Sequence, residues 1–431
     1  MIAHVKQLTK SKFARNVAIV ASGTAGAQAI TMAFSPVITR LYGPEAFGVL
    51  GTFTAILAIL TPLAALSYPI AIVLPRHDAD ALGLVKLSLG IAVAMSLLAG
   101  LILTLFQTQI VDVFNLHTVE PFILFLPLAM LFTASMSVMN HWVARKKLFN
   151  IKARVAVLQA LWLNTAKAGI GLVAPLATVL VVLTAMSSAL HSAMLFFAVQ
   201  KNEKSQAFSG VPGKEKNWQK KIKNYRHLAF YRTPQEMLSA SSQSLPVVFI
   251  ASMFGPAAAG FYALGNMVLM MPSSLVGNSV KEVVYPKMAE KMNENLSVTG
   301  LLVKATLSLM LIGLFPLTII VLSGPWLFGI VFGSDWTVSG QYAQWIALLV
   351  FFNLSNKPSI ASIPILHLER AILVYSVVAT FLRLSSIWVA YYLWGSDLSA
   401  VAFFSITCSI SYIVLLAIVF IASVKRDKAL E

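Results

Sequence analysis

The 431-residue chain is 58% hydrophobic and only 11% charged, with a mean hydropathy of +0.80, a balance that excludes an ordinary soluble domain. A formal charge of +16 would suggest nucleic acid in a soluble chain. Here the placement of the cations carries the information instead, and no nucleic-acid partner is expected. The single cysteine, Cys408, allows no intrachain disulfide and lies in the last apolar run, where it reads as a packing residue.

Apolar runs long enough to span a hydrocarbon core fall at roughly 17–39, 47–74, 84–106, 120–142, 153–174 and 176–199. A second set follows at about 233–254, 259–285, 302–322, 341–366, 371–393 and 398–422. The pattern predicts an all-α polytopic membrane protein with twelve transmembrane helices, six in each half.

Lys6, Lys10, Lys12 and Arg15 precede the first span, Arg76 and Lys86 follow the second, and Arg145, Lys146, Lys147, Lys152 and Arg154 follow the fourth. A cluster from Lys201 to Arg226 follows the sixth, Lys281, Lys287 and Lys291 the eighth, Arg370 the tenth, and Lys425, Arg426 and Lys428 the twelfth. The alternate connections Gln107 to Glu120, Gly255 to Gly260, Gly324 to Gly340 and Gly395 to Ser399 contain no Lys or Arg. The positive-inside rule therefore places both termini in the cytoplasm. The basic-then-apolar start is built like a signal peptide, but its apolar run is too long and leads into a second helix, so it is expected to stay as the first span. Trp326, Trp336, Trp345 and Trp394 are expected near the outer interface and Trp142 near the inner one.

The first span carries Thr24, Gln28, Thr31, Ser35 and Thr39 at helical spacing on one face. Such a stripe suits either a helix-packing seam or a wet cavity, and Gln28 at mid-span favours the cavity. The connection that follows is used twice. Tyr42-Gly43-Pro44-x-Ala46-x-Gly48 and Phe254-Gly255-Pro256-x-Ala258-x-Gly260 share the pattern aromatic-Gly-Pro-x-Ala-x-Gly, with Pro36 and Pro246 upstream and Pro62 and Pro272 downstream. Gly-Pro ends one helix and starts the next, and the later glycine permits close approach of a neighbour. The repeat predicts a two-lobed transporter with Gly43, Pro44, Gly255 and Pro256 as hinges.

The connection Gln107 to Glu120 is too short for a domain. The fifth span carries Asn164, Lys167 and Gly171 on one face, and the sixth holds His191, which reads as hydrogen-bonded packing. Residues 201–231 form a basic cytoplasmic linker, with Trp218, Ile222 and Tyr225 at helical spacing, between an N-terminal lobe (1–200) and a C-terminal lobe (232–431). In the seventh span Arg232 and Glu236 are spaced for an ion pair, with Ser239, Gln243 and Pro246 on the same face. The eighth ends in Asn278, Lys281 and Glu282, the tenth holds Asn353, Asn356 and Lys357, and the eleventh Ser376, Thr380 and Arg383.

Lys167, Lys357 and Arg383 lie inside spans, where each would cost about 2.5–3.5 kcal/mol at a helix centre. They are expected to line a cavity, with snorkelling to the interface as the alternative for the two lysines. Glu45, Asp112, Glu120, Asp335 and Asp397 fall at outer ends, and Glu236, Glu282 and Glu369 at inner ends, so no acid lies deep. A lumen of cations without carboxylates suits an anionic cargo, and arginine suits phosphate oxygens. Gln28, Thr31, Asn164, Gln243 and Asn353 are the expected polar lining.

The segments PVITRLYGPEAFGVLGTF and LPVVFIASMFGPAAAGFYALGNMVLMMPSSLVGNSVKEVVYPKMAE, with twelve spans and both ends inside, resemble the polysaccharide transporters, or Wzx-type flippases, of the MOP superfamily. The resemblance covers nearly the whole chain. It implies a MATE-like fold, two six-helix lobes related by a pseudo-twofold axis around a central cavity, and six spans per half agrees with parallel repeats. It implies flipping of an undecaprenyl-diphosphate-linked oligosaccharide to the outer leaflet of the bacterial inner membrane for O-antigen, capsule or exopolysaccharide assembly. It also implies a polysaccharide polymerase and a chain-length regulator as partners, no cofactor or metal, and no bond chemistry. Arg40 matches the cationic lumen of such proteins in character.

Two rivals share parts of the pattern. A MATE-type antiporter would need a buried carboxylate for its coupling ion. A membrane-embedded polymerase or ligase would carry a substantial outward loop with acids, His or Arg. A peptidoglycan-precursor flippase is also similar, though such relatives typically have fourteen helices.

Overall fold

The computed structural model describes residues 2–202, 218–294 and 296–429. Residues 203–217 of the expected linker lie outside the described residues, as do the side chains of Lys6, Lys10, Lys12, Arg15, Trp218, Asn278, Lys281 and Glu282. The described residues form helices and short connections without a strand: α1 (Ile2–Ala64), α2 (Asp78–Phe114), α3 (Glu120–Ile123), α4 (Leu126–Arg145), α5 (Phe149–Gly171), α6 (Ala177–Asn202) and α7 (Trp218–His227). There follow α8 (Thr233–Phe254), α9 (Pro256–Asn293), α10 (Thr299–Phe332), α11 (Thr337–Ser355), α12 (Lys357–Ser362), α13 (Glu369–Trp394) and α14 (Asp397–Lys428).

Among the described residues, 8 helical stretches are long and apolar enough to cross a membrane. The first, Ile19–Ala64, holds two expected spans bent at Gly43. The fourth, fifth and tenth spans coincide with α4, α5 and α11. These are the more polar helices, carrying Asn140 and His141, Lys152 and Lys167, and Gln341, Gln344 and Asn353. This is a multi-pass membrane protein whose outer faces suit lipid. Leu97, Leu101 and Leu105 lie exposed along one face of α2, and Leu311, Phe315 and Leu322 along α10. Hydroxyls on such faces bond back to their own helix, as Thr104 to the Gly100 carbonyl at 2.7 Å and Thr318 to the Leu314 carbonyl at 2.9 Å. No water is available at membrane depth to satisfy them otherwise.

The chain forms two compact units, Met1–Tyr42 with Val49–Val248, and Gly43–Gly48 with Phe249–Glu431. In the first, Trp142, Ile72, Leu84 and Leu195 are fully buried in one cluster, against which Tyr225 of α7 packs. The Tyr68 hydroxyl, from the same cluster, donates to the Ile222 carbonyl at 3.2 Å and so also ties α7 to it. Arg145 closes this end: its guanidinium donates to the carbonyls of Ile72 (3.2 Å) and Pro75 (2.6 Å) and pairs with Asp78 at 2.9 Å. Lys146 reaches the other Asp78 oxygen at 2.8 Å. Trp142 is therefore a core residue beneath this clamp.

In the second unit Trp336 is also core. Expected at the interface, it is 1% exposed, and Phe47 and Phe261 meet its ring edge-to-face at 5.1 and 6.1 Å. Trp326, Trp345 and Trp394 are exposed. A second apolar cluster gathers Val284 and Met288 of α9, Leu302 of α10 and Leu415 and Val419 of α14.

The sequence repeat is a repeat of backbone geometry. Gly43 has φ 69°, ψ 172°, and Gly255 has φ 87°, ψ 176°. This region is open essentially to glycine alone. A Cβ at either position would meet nothing within 4 Å, so conformation and not space demands glycine there. The second glycine of each copy answers a different need. A Cβ on Gly48 would run into the Pro256 carbonyl, and one on Gly260 into the Pro44 carbonyl. Within the second unit the two motifs thus pack reciprocally, helix start against helix start.

Candidate functional site

In the first unit the stripe on α1 divides along its length. Thr24 is exposed, Gln28 and Thr31 are half-buried, and Ser35 and Thr39 are buried. The Thr39 hydroxyl donates back to the Ser35 carbonyl at 2.9 Å, as a packing seam requires. The middle of the stripe meets α5: Asn164 donates to the Thr31 hydroxyl at 3.3 Å and to the Ala160 carbonyl at 2.7 Å. Gln28 Oε1 is buried with no partner among the described residues.

Lys167 lies on the same helix as Asn164 and is half-buried, with no ion pair among the described residues. Its own carbonyl accepts a hydrogen bond of 2.8 Å from the Tyr42 hydroxyl. A Cβ on Gly171 would strike the Tyr42 ring at 2.6 Å. The small residue at position 171 therefore admits the ring, and the ring ties the residue before the Gly43 bend to the helix that carries Lys167. Arg40 is exposed, close before the bend in sequence.

The second unit brings Arg383 and Asn353 into one network, through a residue the sequence did not single out. The Arg383 guanidinium lies over the Tyr412 ring, 4.7 Å from its centroid. Asn353 donates to the Tyr412 hydroxyl at 2.7 Å, and Asn356 to the Tyr412 carbonyl at 3.0 Å. The Tyr375 hydroxyl donates to the Ser411 carbonyl at 2.6 Å and receives Arg383 Nη2 at 3.5 Å. Arg383 Nε and Asn356 Oδ1 are buried without partners among the described residues. Three helices, α11, α13 and α14, thus converge on one guanidinium, which has no carboxylate partner among the described residues.

Lys357 opens α12 beside a proline and is half-buried. Its methylene stem lies against Gly277 of α9, where a Cβ would come within 2.8 Å of Cε. Lys357 is not part of the Arg383 network. In the first unit Arg232 and Glu236 form the expected pair at 2.8 Å, and Gln243 is exposed, turned back to the Ser239 carbonyl at 3.2 Å. Among the described residues no group of His, Cys, Asp and Glu is arranged to hold a metal ion.

Tyr42, Tyr375 and Tyr412 are the site residues that sequence reasoning missed. Tyr42 stood in the repeat, where an aromatic precedes both Gly-Pro pairs. The other two carried a weaker signal, a phenol hydroxyl inside a span that needs a partner.

A family model described as polysaccharide biosynthesis protein matches residues 37–341. Comparison with curated protein sequences gives no match. Among solved structures, the chain is similar to an inward-facing multidrug resistance MATE family transporter of the MOP superfamily, with 13% identity over 94% of this chain and 95% of that one at a TM-score of 0.67. It is similar to the lipid II flippase MurJ in an inward closed conformation, with 13% identity over 95% of this chain and 90% of that one at a TM-score of 0.68. It is similar also to an outward-facing MATE family transporter, with 14% identity over 97% and 95% at a TM-score of 0.56. At such identities the likeness is one of fold, and the fold is that of these membrane transporters. With the family match running over most of its length, the chain belongs to the polysaccharide biosynthesis protein family.

Proposed function

We propose that the chain is a flippase, not an enzyme, which moves an undecaprenyl-diphosphate-linked oligosaccharide from the cytoplasmic to the outer leaflet of the bacterial inner membrane, both termini being cytoplasmic. The observation that carries the reading is the set of intramembrane cations. Lys167, Lys357 and Arg383 sit in helices of a transporter fold with no acidic partner among the described residues. Unneutralised cations at membrane depth favour an anion, and a diphosphate is the anion that polysaccharide intermediates on a lipid carrier bear. In this reading the three cations and Arg40 hold the diphosphate, while Gln28, Thr31, Asn164, Gln243 and Asn353 meet sugar hydroxyls. The polyprenyl tail stays in lipid. Lobes of residues 1–200 and 232–431, joined by the basic linker, alternate access by rocking at the Gly43-Pro44 and Gly255-Pro256 bends.

The test is leaflet-specific accessibility of a fluorescent undecaprenyl-diphosphate-oligosaccharide in proteoliposomes. Protein-dependent movement, reduced at least ten-fold in both Lys167→Ala and Arg383→Gln, is the expected result. Movement that neither substitution alters overturns the site, and no movement overturns the function in favour of a MATE-type antiporter.

A further inference from the structure

The first unit contains a cavity of about 430 Å³ whose lining includes none of the cations of the proposed site. Thr133, Ser137 and His141 of α4 line one wall, Ser67 another, and Arg232 and Glu236 of the α8 region a third. On the proposed orientation Ser67, His141, Arg232 and Glu236 stand towards cytoplasmic ends of their spans, while Thr133 and Ser137 lie near the middle of α4. The cavity is built, not incidental. Leu66 (φ 48°) and Ser67 (φ 55°) hold left-handed backbone without being glycine, a conformation that persists where surrounding contacts over-determine it. Those contacts are present: the Ser67 hydroxyl donates to Glu236 Oε2 at 3.1 Å, and Thr233 donates to the Ser67 hydroxyl at 3.0 Å.

The hydrogen-bonding groups left over define the ligand. Arg232 spends Nε on Glu236 at 2.8 Å and Nη1 on Gln235 at 3.4 Å, leaving Nη2 as a donor. His141 sets Nδ1 against the Ser137 carbonyl at 2.8 Å. Only an N–H fits that contact, which leaves Nε2 as the ring's second hydrogen-bonding atom. Glu236 keeps lone pairs, and the Ser137 hydroxyl both donates and accepts. The wall is thus a mixture of donors and acceptors. A phosphate, which only accepts, would meet the Glu236 carboxylate, and a cation would meet the Arg232 guanidinium. A neutral polyhydroxyl ligand, each of whose groups donates and accepts, satisfies all of them. The volume falls within the range of small-ligand sites, about 300–1,000 Å³, with room for a mono- or disaccharide.

We propose that this cavity is a carbohydrate site that holds sugar residues of the lipid-linked cargo, separately from the cations that hold its diphosphate; the inference rests on the flippase reading. The test is binding of purified protein in nanodiscs to two lipids, undecaprenyl diphosphate bearing the host's repeat unit and undecaprenyl diphosphate without sugar. Wild type is expected to prefer the sugar-bearing lipid by about ten-fold or more. Ser137→Phe, which fills the cavity, and Glu236→Gln and Thr133→Val, which alter its wall at nearly constant volume, are each expected to lower that ratio, the sugar contacts of Gln28, Thr31, Asn164, Gln243 and Asn353 accounting for the preference that remains. A wild type without preference overturns the proposal, as does a preference kept undiminished by every variant that folds. Binding of neither lipid instead overturns the flippase reading on which the proposal stands.

Discussion

Alanine at Gly255 and at Gly48 should destabilise the second unit by different mechanisms, and the protein supplies its own probe. Cys408 is the single cysteine and is 2% exposed, so its reaction with a thiol-reactive fluorophore during heating reports opening of the helices around it. Gly255→Ala leaves every contact intact, because the added methyl meets nothing within 4 Å. It forces a Cβ onto φ 87°, ψ 176°, at a cost of about 1–3 kcal/mol. A factor of ten in the folded ratio corresponds to about 1.4 kcal/mol, so the onset of Cys408 labelling should fall by several degrees. Gly48→Ala keeps an ordinary helical backbone but drives its methyl into the Pro256 carbonyl, a contact relieved only by backbone movement. Its loss should exceed that of Gly255→Ala. The control is Gly300→Ala, at an exposed helical position with open space around the new methyl, where alanine should stabilise by up to about 1 kcal/mol. Should Gly255→Ala behave like Gly300→Ala, glycine is not required by the bend, and the geometric account of the repeat fails.

Tyr42→Phe removes the 2.8 Å bond to the Lys167 carbonyl while keeping the ring against Gly171. It should cost about 0.5–1.5 kcal/mol, read as a lowered unfolding temperature, whereas Gly171→Ala should cost more by displacing the ring. Arg383→Lys retains the charge but not a planar group over Tyr412, so about 0.5–2 kcal/mol of ring contact is at stake; flipping should fall less than in Arg383→Gln. Arg145→Ala frees the carbonyls of Ile72 and Pro75 and leaves Asp78 to Lys146. A loss of about 1–3 kcal/mol should appear as faster amide exchange across residues 68–78, and exchange unchanged there would refute the clamp.

Much of the fold was legible because a bilayer permits few solutions. Runs of about 20 apolar residues must be helices there, since no other element satisfies its own backbone. The Gly-Pro repeat was legible for a similar reason: a backbone near φ 69–87° can be written only with glycine. Helix-face periodicity was a partial guide. It put Thr24, Thr31 and Thr39 on one side of α1, yet could not say that Thr24 would be exposed and Thr39 buried, because exposure is set by neighbours far along the chain. The same limit hid Trp336, whose partners Phe47 and Phe261 are distant in sequence. It hid Tyr412 as well, since an aromatic residue in an apolar run looks alike whether it faces lipid or a guanidinium. The left-handed turn at Leu66 and Ser67 had no sequence mark at all, because contacts with Glu236 and Thr233 hold it in place of glycine.

Arg383 shows how structural cost and proposed function are connected. A guanidinium in a spanning helix costs about 2.5–3.5 kcal/mol on insertion scales, and contact with the Tyr412 ring returns about 0.5–2 kcal/mol. The Nη2 contact with Tyr375, at 3.5 Å, lies at the outer limit of a hydrogen bond and adds little. The ring contact therefore orients the group without fully compensating it, and Nε is left buried without a partner among the described residues. A neighbouring carboxylate would remove the residual cost and, with it, the attraction for an anion. An aromatic face does neither: it fixes the guanidinium plane while leaving its charge unneutralised. On the proposed function, the residual cost in the empty protein is what a diphosphate relieves on binding, so Tyr375 and Tyr412 are as much a part of the anion site as the arginine they hold.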